Sequence, residues 1–478
     1  MKIMKKISYM IVGAVILFMS ATSVFAQQNF RTGYFLDGYT HKYKFNPAFQ
    51  GERGHIGIPV ISDLGLGVES NVALDNFLFP TGNGNLTTFL SPNVDGATFL
   101  NALKDDMTLN ADFSTSIISL GIRTGRGFHT IDFGTRLNTG VYLPKDLFRL
   151  VKVGASDGNT GYDISNIAFK ANMMTELSYG YSHCIFDGLT VGARVKFLLG
   201  AANLNIAMDN MNVKMAADEW SVKSKGTASL AGPLTIPAKA DGSLDIGGYD
   251  LLDTPDELIQ YYLKDKTNFG IAFDFGVTAD FLDYFTASAS VLDIGSIKWG
   301  KVMTAQTPET AWSFKGFEDL TDKSDDSSVG KQLEGMGDEL MKAFNFKKTA
   351  DDAEISTKLG MTVNVSFEAR MPFYEALSFG VLGTRRFDGD FSWTEGRVAA
   401  SLSPFRWLSA TANYAVSDFG QSFGGAVNLH TGLFTLYAGT DSLLPFMNVS
   451  SEYIPISSWN TNVIVGLNLT LGAYKGRH

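Results

Sequence analysis

The sequence predicts an all-β fold, namely a transmembrane antiparallel β-barrel of about 14 strands with an N-terminal lumen plug and large, partly helical external loops. Three observations lead to this prediction. Long segments alternate between apolar and polar residues, the composition is poor in charge, and the chain starts with a secretion signal. Together they predict insertion into the cell outer membrane.

The clearest alternating segment covers residues 269–281. Every second side chain from Phe269 to Phe281 is apolar, and small or polar residues such as Gly270 and Asp274 lie between them. Such a strand has one apolar and one polar face, and it exceeds the roughly ten residues that a tilted strand needs to cross a bilayer. Similar alternation recurs at residues 131–138, 189–199, 361–370 and 462–471. A soluble β-sandwich could contain one or two such strands, so this number favours lipid contact.

The composition and the N-terminus support the same class. Only 18% of residues are charged, against about 25% in average proteins, while Gly (49) and Phe (36) are abundant. Residues 1–26 form a predicted signal peptide with a basic start, an apolar core and a cleavage site near Ala26. The alternative is an N-terminal transmembrane anchor. The single cysteine, Cys184, excludes an internal disulfide framework.

Connection lengths divide the chain into a regular up-and-down pattern. Short turns, for example at 124–127 and 282–284, alternate with long connections, for example 140–166 and 441–460. Barrels of this class have short periplasmic turns and long external loops. The predicted organisation is therefore a signal peptide (1–26), a plug or hatch segment (27–54) and a barrel (55–478) with long inserts at 201–268 and 295–355.

The plug prediction is based on residues 27–54. This segment does not alternate and is rich in aromatic residues, which argues against disorder. A barrel of about 14 strands is too wide for its own side chains to fill, so a neighbouring segment must occupy the lumen. The alternative is a periplasmic tail. In the second insert, apolar residues at helical spacing over 332–344 could contact a protein partner or pack on the barrel's own loops.

Charged residues on the polar faces of the strands are the candidate lumen residues. They are Asp132, Arg136, Glu176, Arg194, Lys196, Asp274, Asp280, Glu368 and Arg370. Facing lipid, an Arg or Lys would cost about 2–4 kcal/mol at mid-depth. We expect Asp274 and Asp280 to pair with basic neighbours such as Arg194 or Lys196. The set could line a polar path or hold the plug, or it could only brace the barrel.

Other function classes have little support in the chain. The net charge of −10 and the absence of a basic stripe argue against nucleic-acid binding. The two G-x-S-x-G matches, around Ser156 and Ser422, lie in or beside predicted loops and not on a strand-to-helix turn. No His or Cys spacing suits a metal. We therefore predict no catalytic residues, no metal site and no cofactor.

Four motifs carry a resemblance to known families. The tripeptide Asn46-Pro47-Ala48 ahead of a barrel of about 14 strands resembles the hatch of the long-chain fatty-acid transporter superfamily. The chain is more similar to a Bacteroidetes-type family of outer-membrane barrels of unassigned function, at this tripeptide and at 57–60, 143–148 and 293–299.

This resemblance implies a fold and a location, and leaves two functions open. In the transporters, hydrophobic molecules enter the barrel and leave sideways into the membrane, whereas a related branch serves as a shuttle subunit of type IX secretion. We therefore expect passive uptake of a small hydrophobic molecule, with outer-membrane lipid as the surroundings. The alternative is a non-transporting scaffold or secretion-associated adaptor that binds a protein through its external loops.

Overall fold

The computed structural model describes residues 30–73, 76–81, 86–154, 161–215, 220–252, 254, 256–257, 260–261, 268–307, 310–314, 345–443 and 460–472. The predicted signal peptide and the apolar stripe at 332–344 lie outside the described residues.

Strands dominate the described part of the chain. They are β1 (Gly54–Gly57), β2 (Leu64–Ser70), β3 (Leu78–Pro80), β4 (Leu86–Thr88), β5 (Asp106–Thr124), β6 (Gly127–Pro144), β7 (Gly161–Asp163), β8 (Ile167–Phe186), β9 (Leu189–Met215), β10 (Trp220–Ala231), β11 (Leu234–Thr235), β12 (Asp250–Leu251), β13 (Phe269–Phe281), β14 (Phe285–Gln306), β15 (Thr310–Phe314), β16 (Lys347–Lys358), β17 (Met361–Arg370), β18 (Leu377–Phe387), β19 (Trp393–Phe405), β20 (Leu408–Ser417), β21 (Gly420–His430), β22 (Phe434–Thr440) and β23 (Thr461–Leu471).

Helices are short and few in the described residues. Two α-helices, α1 (Gly96–Asn101) and α2 (Lys145–Lys152), lie at the long-loop end, and single 3-10 turns cover Arg31–Tyr34, Lys42–Lys44 and Ile246–Gly248. Asp95 caps α1 by accepting a hydrogen bond from the backbone N–H of Thr98. No helix in the described ranges has the length and hydropathy needed to cross a bilayer.

The main sheet is a closed antiparallel barrel of 14 strands, as the alternation predicts. The first barrel strand consists of β1 and β2, and β16 with β17 together form the eighth. The barrel closes where β1 and β2 pair with the last strand, β23, through register pairs such as Ile56 with Leu469 and Leu66 with Val463. Closure leaves no unpaired edge around the barrel, so every wall strand has two neighbours.

The outer face of the wall is apolar. Along β13, Phe269, Ile271, Phe273 and Phe275 are between 39% and 52% exposed, whereas Asp274 on the opposite face is fully buried. The neighbouring strands continue this surface with exposed Val, Leu and Phe side chains. An apolar belt around a closed barrel is the surface that lipid contacts. Period-two alternation is therefore the physical reason that these residues form a membrane-spanning wall.

The long inserts extend the wall rather than interrupt it. Strand β9 has 27 residues and β14 has 22, and a 27-residue strand rises about 90 Å along its axis. The apolar belt of such barrels is only about 25 Å tall. On the long-loop side of Phe269, where β13 begins, the strand between β9 and β14 is β10 instead of β13. The sheet thus projects well past the membrane at the long-loop end, as far as the structure describes these inserts.

Candidate functional site

The barrel lumen is occupied by residues 30–49, called here the inner segment. It starts near the long-loop end, where Arg31 contacts Glu69 of β2, and runs down to the short-turn end before joining β1. Its side chains are almost completely buried, with Leu36, His41 and Asn46 at 0% exposure. Its aromatic residues pack against Tyr437, Leu382 and other inward side chains. The aromatic content of this segment thus forms a core inside the barrel.

Wall side chains provide hydrogen bonds to the irregular backbone of the inner segment. The hydroxyl of Ser401 donates to the carbonyl of Phe35 (3.0 Å), and that of Ser290 donates to the carbonyl of Phe45 (2.6 Å). The carbonyl of Asp37 accepts from Ser409 and Asn428 at 2.7 and 2.9 Å. A buried segment without a regular ladder needs such partners. The Ser, Thr and Asn residues on the inner faces of the strands therefore hold the segment in place.

Asn46 attaches the predicted hatch tripeptide to the wall. Its side-chain amide donates to the backbone carbonyls of Val277 (3.1 Å) and Ala289 (3.2 Å), and its Oδ1 accepts from the N–H of Ala48 (2.9 Å). Gly276 lies directly beneath Asn46, and Gly192 beneath the next residue, so that an added Cβ at either glycine would collide with the tripeptide. The wall is therefore shaped to receive Asn46-Pro47-Ala48.

An ionic cluster, called here the docking cluster, holds the start of the inner segment. It consists of Arg31 and four wall residues, Glu69, Glu395, Arg397 and Asp441. The guanidinium of Arg31 forms ion pairs with Glu69 and with Glu395 (3.0 Å), while Arg397 pairs with Glu395 (2.9 Å) and Asp441 (3.1 Å). All five side chains are at most 12% exposed. The cluster thus places three carboxylates against two guanidinium groups, one of which belongs to the inner segment.

A second set of contacts lies lower in the lumen. Lys44 forms an ion pair with Asp63 (2.6 Å), which also accepts hydrogen bonds from Tyr39 and Tyr437 at 3.1 and 2.8 Å. His41 lies beside this carboxylate and is fully buried. Because burial disfavours the imidazolium form, the pKa of His41 falls to about 3. The imidazole is therefore neutral at physiological pH.

A third cluster, called here the wall network, belongs entirely to the barrel strands. It comprises Arg136, Glu176, Arg194, Lys196, Asp274 and Asp293. Asp293 pairs with Arg136 (2.9 Å) and Lys196 (2.6 Å). Glu176 pairs with Arg194 at 2.6 Å and with Arg136 at 3.2 Å. Asp274 is 2.8 Å from Lys196. Three positive and three negative groups therefore balance one another without the inner segment.

The predicted lumen residues fall into two groups. The structure brings Arg136, Glu176, Arg194, Lys196 and Asp274 together in the wall network. Asp132 is buried beside them and accepts a hydrogen bond from Tyr43 of the inner segment.

Asp280, Glu368 and Arg370 lie apart, toward the short-turn end. The pairing expected for Asp274 with Arg194 and Lys196 is present, but that expected for Asp280 is not. Asp280 is exposed and accepts a hydrogen bond from Thr286 at 2.5 Å. It lies six residues beyond Asp274, about 20 Å along the strand, which is too far from Lys196.

Several site residues escaped the sequence prediction. Asp293 lies in a β-bulge of β14, where the register with β13 shifts and its φ is 60°. A bulge breaks the period of two, so alternation could not assign this side chain to the lumen. Asp63 lies after the interruption between β1 and β2, where the alternation also breaks, so it could not be assigned to the lumen either. Arg31 and Lys44 lie in the inner segment, where no period exists.

Two cavities of the lumen lie on opposite sides of the inner segment. The outer cavity lies toward the long-loop end, has about 820 Å³ of empty space including open solvent, and is lined by Arg31, Tyr34 and Phe45 of the segment. The inner cavity lies toward the short-turn end, has about 1030 Å³ on the same measure, and is lined by residues such as Tyr39 and Lys42. The same segment therefore forms the floor of one cavity and the roof of the other.

Several solved barrels are similar to this one in fold. The toluene transporter TbuX of Ralstonia pickettii is 10% identical, with a TM-score of 0.39 over 90% of this chain and 94% of that one. The toluene transporter TodX of Pseudomonas putida is 8% identical, with a TM-score of 0.40 over 94% and 98%. A Pseudomonas aeruginosa FadL homologue is 11% identical, with a TM-score of 0.38 over 93% and 99%. Similarity this low does not identify a substrate.

Sequence comparison gives the family. No curated protein matches the chain. The family of unknown function DUF5723 matches residues 47–441. The predicted resemblance to a family of unassigned function is confirmed. Since the match covers most of its length, the chain belongs to the family of unknown function DUF5723.

Proposed function

We propose that this protein is an outer-membrane barrel for passive uptake of a small hydrophobic molecule, and that its inner segment closes the path in the conformation described. The observation that carries this proposal is the position of one segment between two cavities of the lumen. A change in the position of that segment would join the cavities into a passage. In this proposal the short-turn end faces the periplasm, as in other barrels of this class.

Most residues that line the outer cavity are polar or charged, and five aromatic rings lie among them. Aromatic rings from three sources surround it: Tyr34 and Phe45 of the inner segment, Phe113 of β5, and Phe391 and Trp393 at the start of β19. Charged residues also line this cavity, and most of them are already paired with one another. The aromatic rings therefore support a hydrophobic cargo.

Uptake can be measured in cells whose outer membrane excludes the hydrophobic fluorophore N-phenylnaphthylamine. We expect cells producing the protein to take up the fluorophore several-fold faster than cells carrying an empty vector. Heat-dependent gel migration verifies that the barrel is folded and inserted. Equal rates in the two cell populations, with a folded barrel present, would overturn the proposal.

A second candidate function is a scaffold that binds a protein at the long-loop end. The observation that favours it is the extension of β9, β10 and β14 well beyond the apolar belt. Deleting residues 320–340, which lie between β15 and β16 in the sequence and outside the described residues, separates the two functions. Loss of a co-purified partner with unchanged fluorophore uptake would favour the scaffold. Loss of uptake alone would favour transport.

A further inference from the structure

The outer cavity contains a buried acceptor without a donor. Asn110 of β5 is 6% exposed, and its side-chain oxygen accepts no hydrogen bond from any described group. The residue lines the outer cavity. A buried polar atom without a partner costs about 1–3 kcal/mol, so such atoms are rare in folded proteins. The orphaned oxygen of Asn110 therefore indicates a position where a hydrogen-bond donor from another molecule fits.

The neighbouring wall is shaped around this oxygen. Gly140 is the register partner of Asn110 on β6. A Cβ added at Gly140 would lie 2.6 Å from the ring of Phe391 and 3.1 Å from Oδ1 of Asn110. The glycine thus leaves room for an aromatic ring and an acceptor side by side. An apolar group resting on Phe391 could place its own donor at Asn110.

Asp112 adds a second acceptor two residues along the same face of β5. Its carboxylate accepts from the amide of Asn138 at 2.7 Å. Within the described residues it forms no ion pair, unlike the other two carboxylates that line the cavity. Asp293 pairs with Arg136 at 2.9 Å, and Asp388 pairs with Lys170 at 2.6 Å. Asp112 therefore retains accepting capacity toward the cavity.

The local charges favour an uncharged donor. Asp388 is shared by two cations, since Arg386 approaches it at 3.2 Å as well as Lys170 at 2.6 Å. Counting Asp112, this corner of the cavity holds two positive and two negative groups. An ammonium ion would add an unbalanced charge in a partly buried site, which is costly. A hydroxyl or amide N–H donates without that cost.

We infer that the outer cavity contains a subsite for an uncharged amphiphile, such as an alcohol, a phenol or an amide. Its O–H or N–H donates to Oδ1 of Asn110, and Asp112 accepts from a second N–H where the molecule carries one, while its apolar body lies against Phe391. This inference rests on the proposed uptake function and narrows the cargo class. It separates cargo that carries a donor from a pure hydrocarbon of the same size.

The test compares two ligands of equal size on the full-length protein in detergent. Binding of 4-fluorobenzyl alcohol and of 4-fluoroethylbenzene is followed by fluorine NMR, for the wild type, for Asn110→Leu and for a control, Asn205→Leu, at an exposed position of β9. We expect the wild type to bind the alcohol about tenfold more tightly, as one satisfied buried acceptor implies. Asn110→Leu should abolish this preference without weakening hydrocarbon binding, and the control should keep it.

Different outcomes overturn different proposals. If the wild type binds both ligands equally and Asn110→Leu changes neither affinity, a water molecule satisfies the oxygen and the subsite is wrong, while hydrophobic uptake stands. If the wild type binds neither ligand and does not accelerate fluorophore uptake in cells, both proposals fail. Because Asn110→Leu could impair folding, its heat-dependent gel migration is compared with the wild type. The second variant, Asn110→Ala, removes the same acceptor with a smaller side chain and should also lose the preference.

Discussion

The wall network and the docking cluster are both buried ionic groups, but they differ in which parts of the chain they join. The wall network connects residues of barrel strands only, and its three cations balance three carboxylates. The docking cluster needs Arg31 of the inner segment, because Glu69, Glu395 and Asp441 otherwise face Arg397 alone. Departure of the inner segment would therefore leave the first cluster intact and the second with unpaired buried charge.

This difference assigns separate roles to the two clusters. A buried ion pair that loses one partner destabilises strongly, since the other charge remains buried. The docking cluster thus opposes movement of the inner segment. The wall network opposes distortion of the barrel. It does not oppose movement of the inner segment. Three substitutions and one change of pH, in order of expected effect, test whether the two clusters have these separate roles.

Replacing Arg31 by Met should have the largest effect on closure. The change removes the guanidinium that pairs with Glu69 and Glu395, and we expect the docked state to lose about 3–5 kcal/mol. In planar bilayers, the open fraction of single channels should rise steeply.

The matched control for that change is Arg53→Met. Arg53 lies at the short-turn end and donates only to the backbone carbonyls of Gly432 and Gly472 in the described residues. Its replacement should leave the open fraction unchanged. An equal rise in both variants would show that the docking cluster does not control closure.

Replacing Asp293 by Asn should weaken the barrel without opening it. The substitution removes the charge that pairs with Arg136 and Lys196, although each cation keeps another carboxylate, Glu176 or Asp274. We expect a loss of about 2–3 kcal/mol, typical of hydrogen bonds to charged groups. The temperature at which the folded band disappears on a gel should fall, while channel currents stay at the wild-type level. A leak as large as that of Arg31→Met would contradict the separation of roles.

Replacing Gly276 by Ala should disturb docking at the lower contact. The new methyl group would meet the Asn46 side chain, which is itself held by Val277 and Ala289. Overpacking of this kind costs about 1–3 kcal/mol. Protease cleavage within residues 30–49 should accelerate. Gly396→Ala is the control, since nothing lies within 4 Å of its added Cβ, and it should be cleaved at the wild-type rate.

Acid should loosen the inner segment through His41. Its docked pKa of about 3 lies below the usual value of 6.5, so docking favours the neutral imidazole. This contribution is complete above about pH 6.5 and is lost as the pH falls toward 3. At pH 5.5 the loss is about 1.4 kcal/mol. Channel opening should therefore increase between pH 7.5 and 5.5 in the wild type, and less in His41→Gln. Identical pH profiles would exclude His41 as the source.

The comparison also shows what the sequence could reveal. Lipid on one face and polar groups on the other impose a period of two, so the strand around Asp274 and its neighbour Arg194 could be recognised and paired. Five of the six wall-network residues were predicted in this way. Asp293 was not, because a bulge shifts the register by one residue and reverses the faces.

The docking cluster could not be predicted in the same manner. Arg31 lies in a segment whose conformation follows the shape of the lumen, and the wall residues that receive it come from strands far apart in sequence, at Glu69, Glu395 and Asp441. Only the completed barrel brings them together. The aromatic composition of residues 27–54 indicated a buried segment, but neither its contacts nor its direction.

The seam of the barrel has a consequence for biogenesis. The first strand closes against β23, where the hydroxyl of Ser62 donates to Asn468 at 2.9 Å. His41 of the inner segment contacts both sides, since it lies within hydrogen-bond distance of Ser62 and of Tyr437 on β22. A chain that closed first would have to thread its N-terminus through a finished ring. We therefore expect the inner segment to be in place when the barrel closes, so that β23 pairs with the first strand around it.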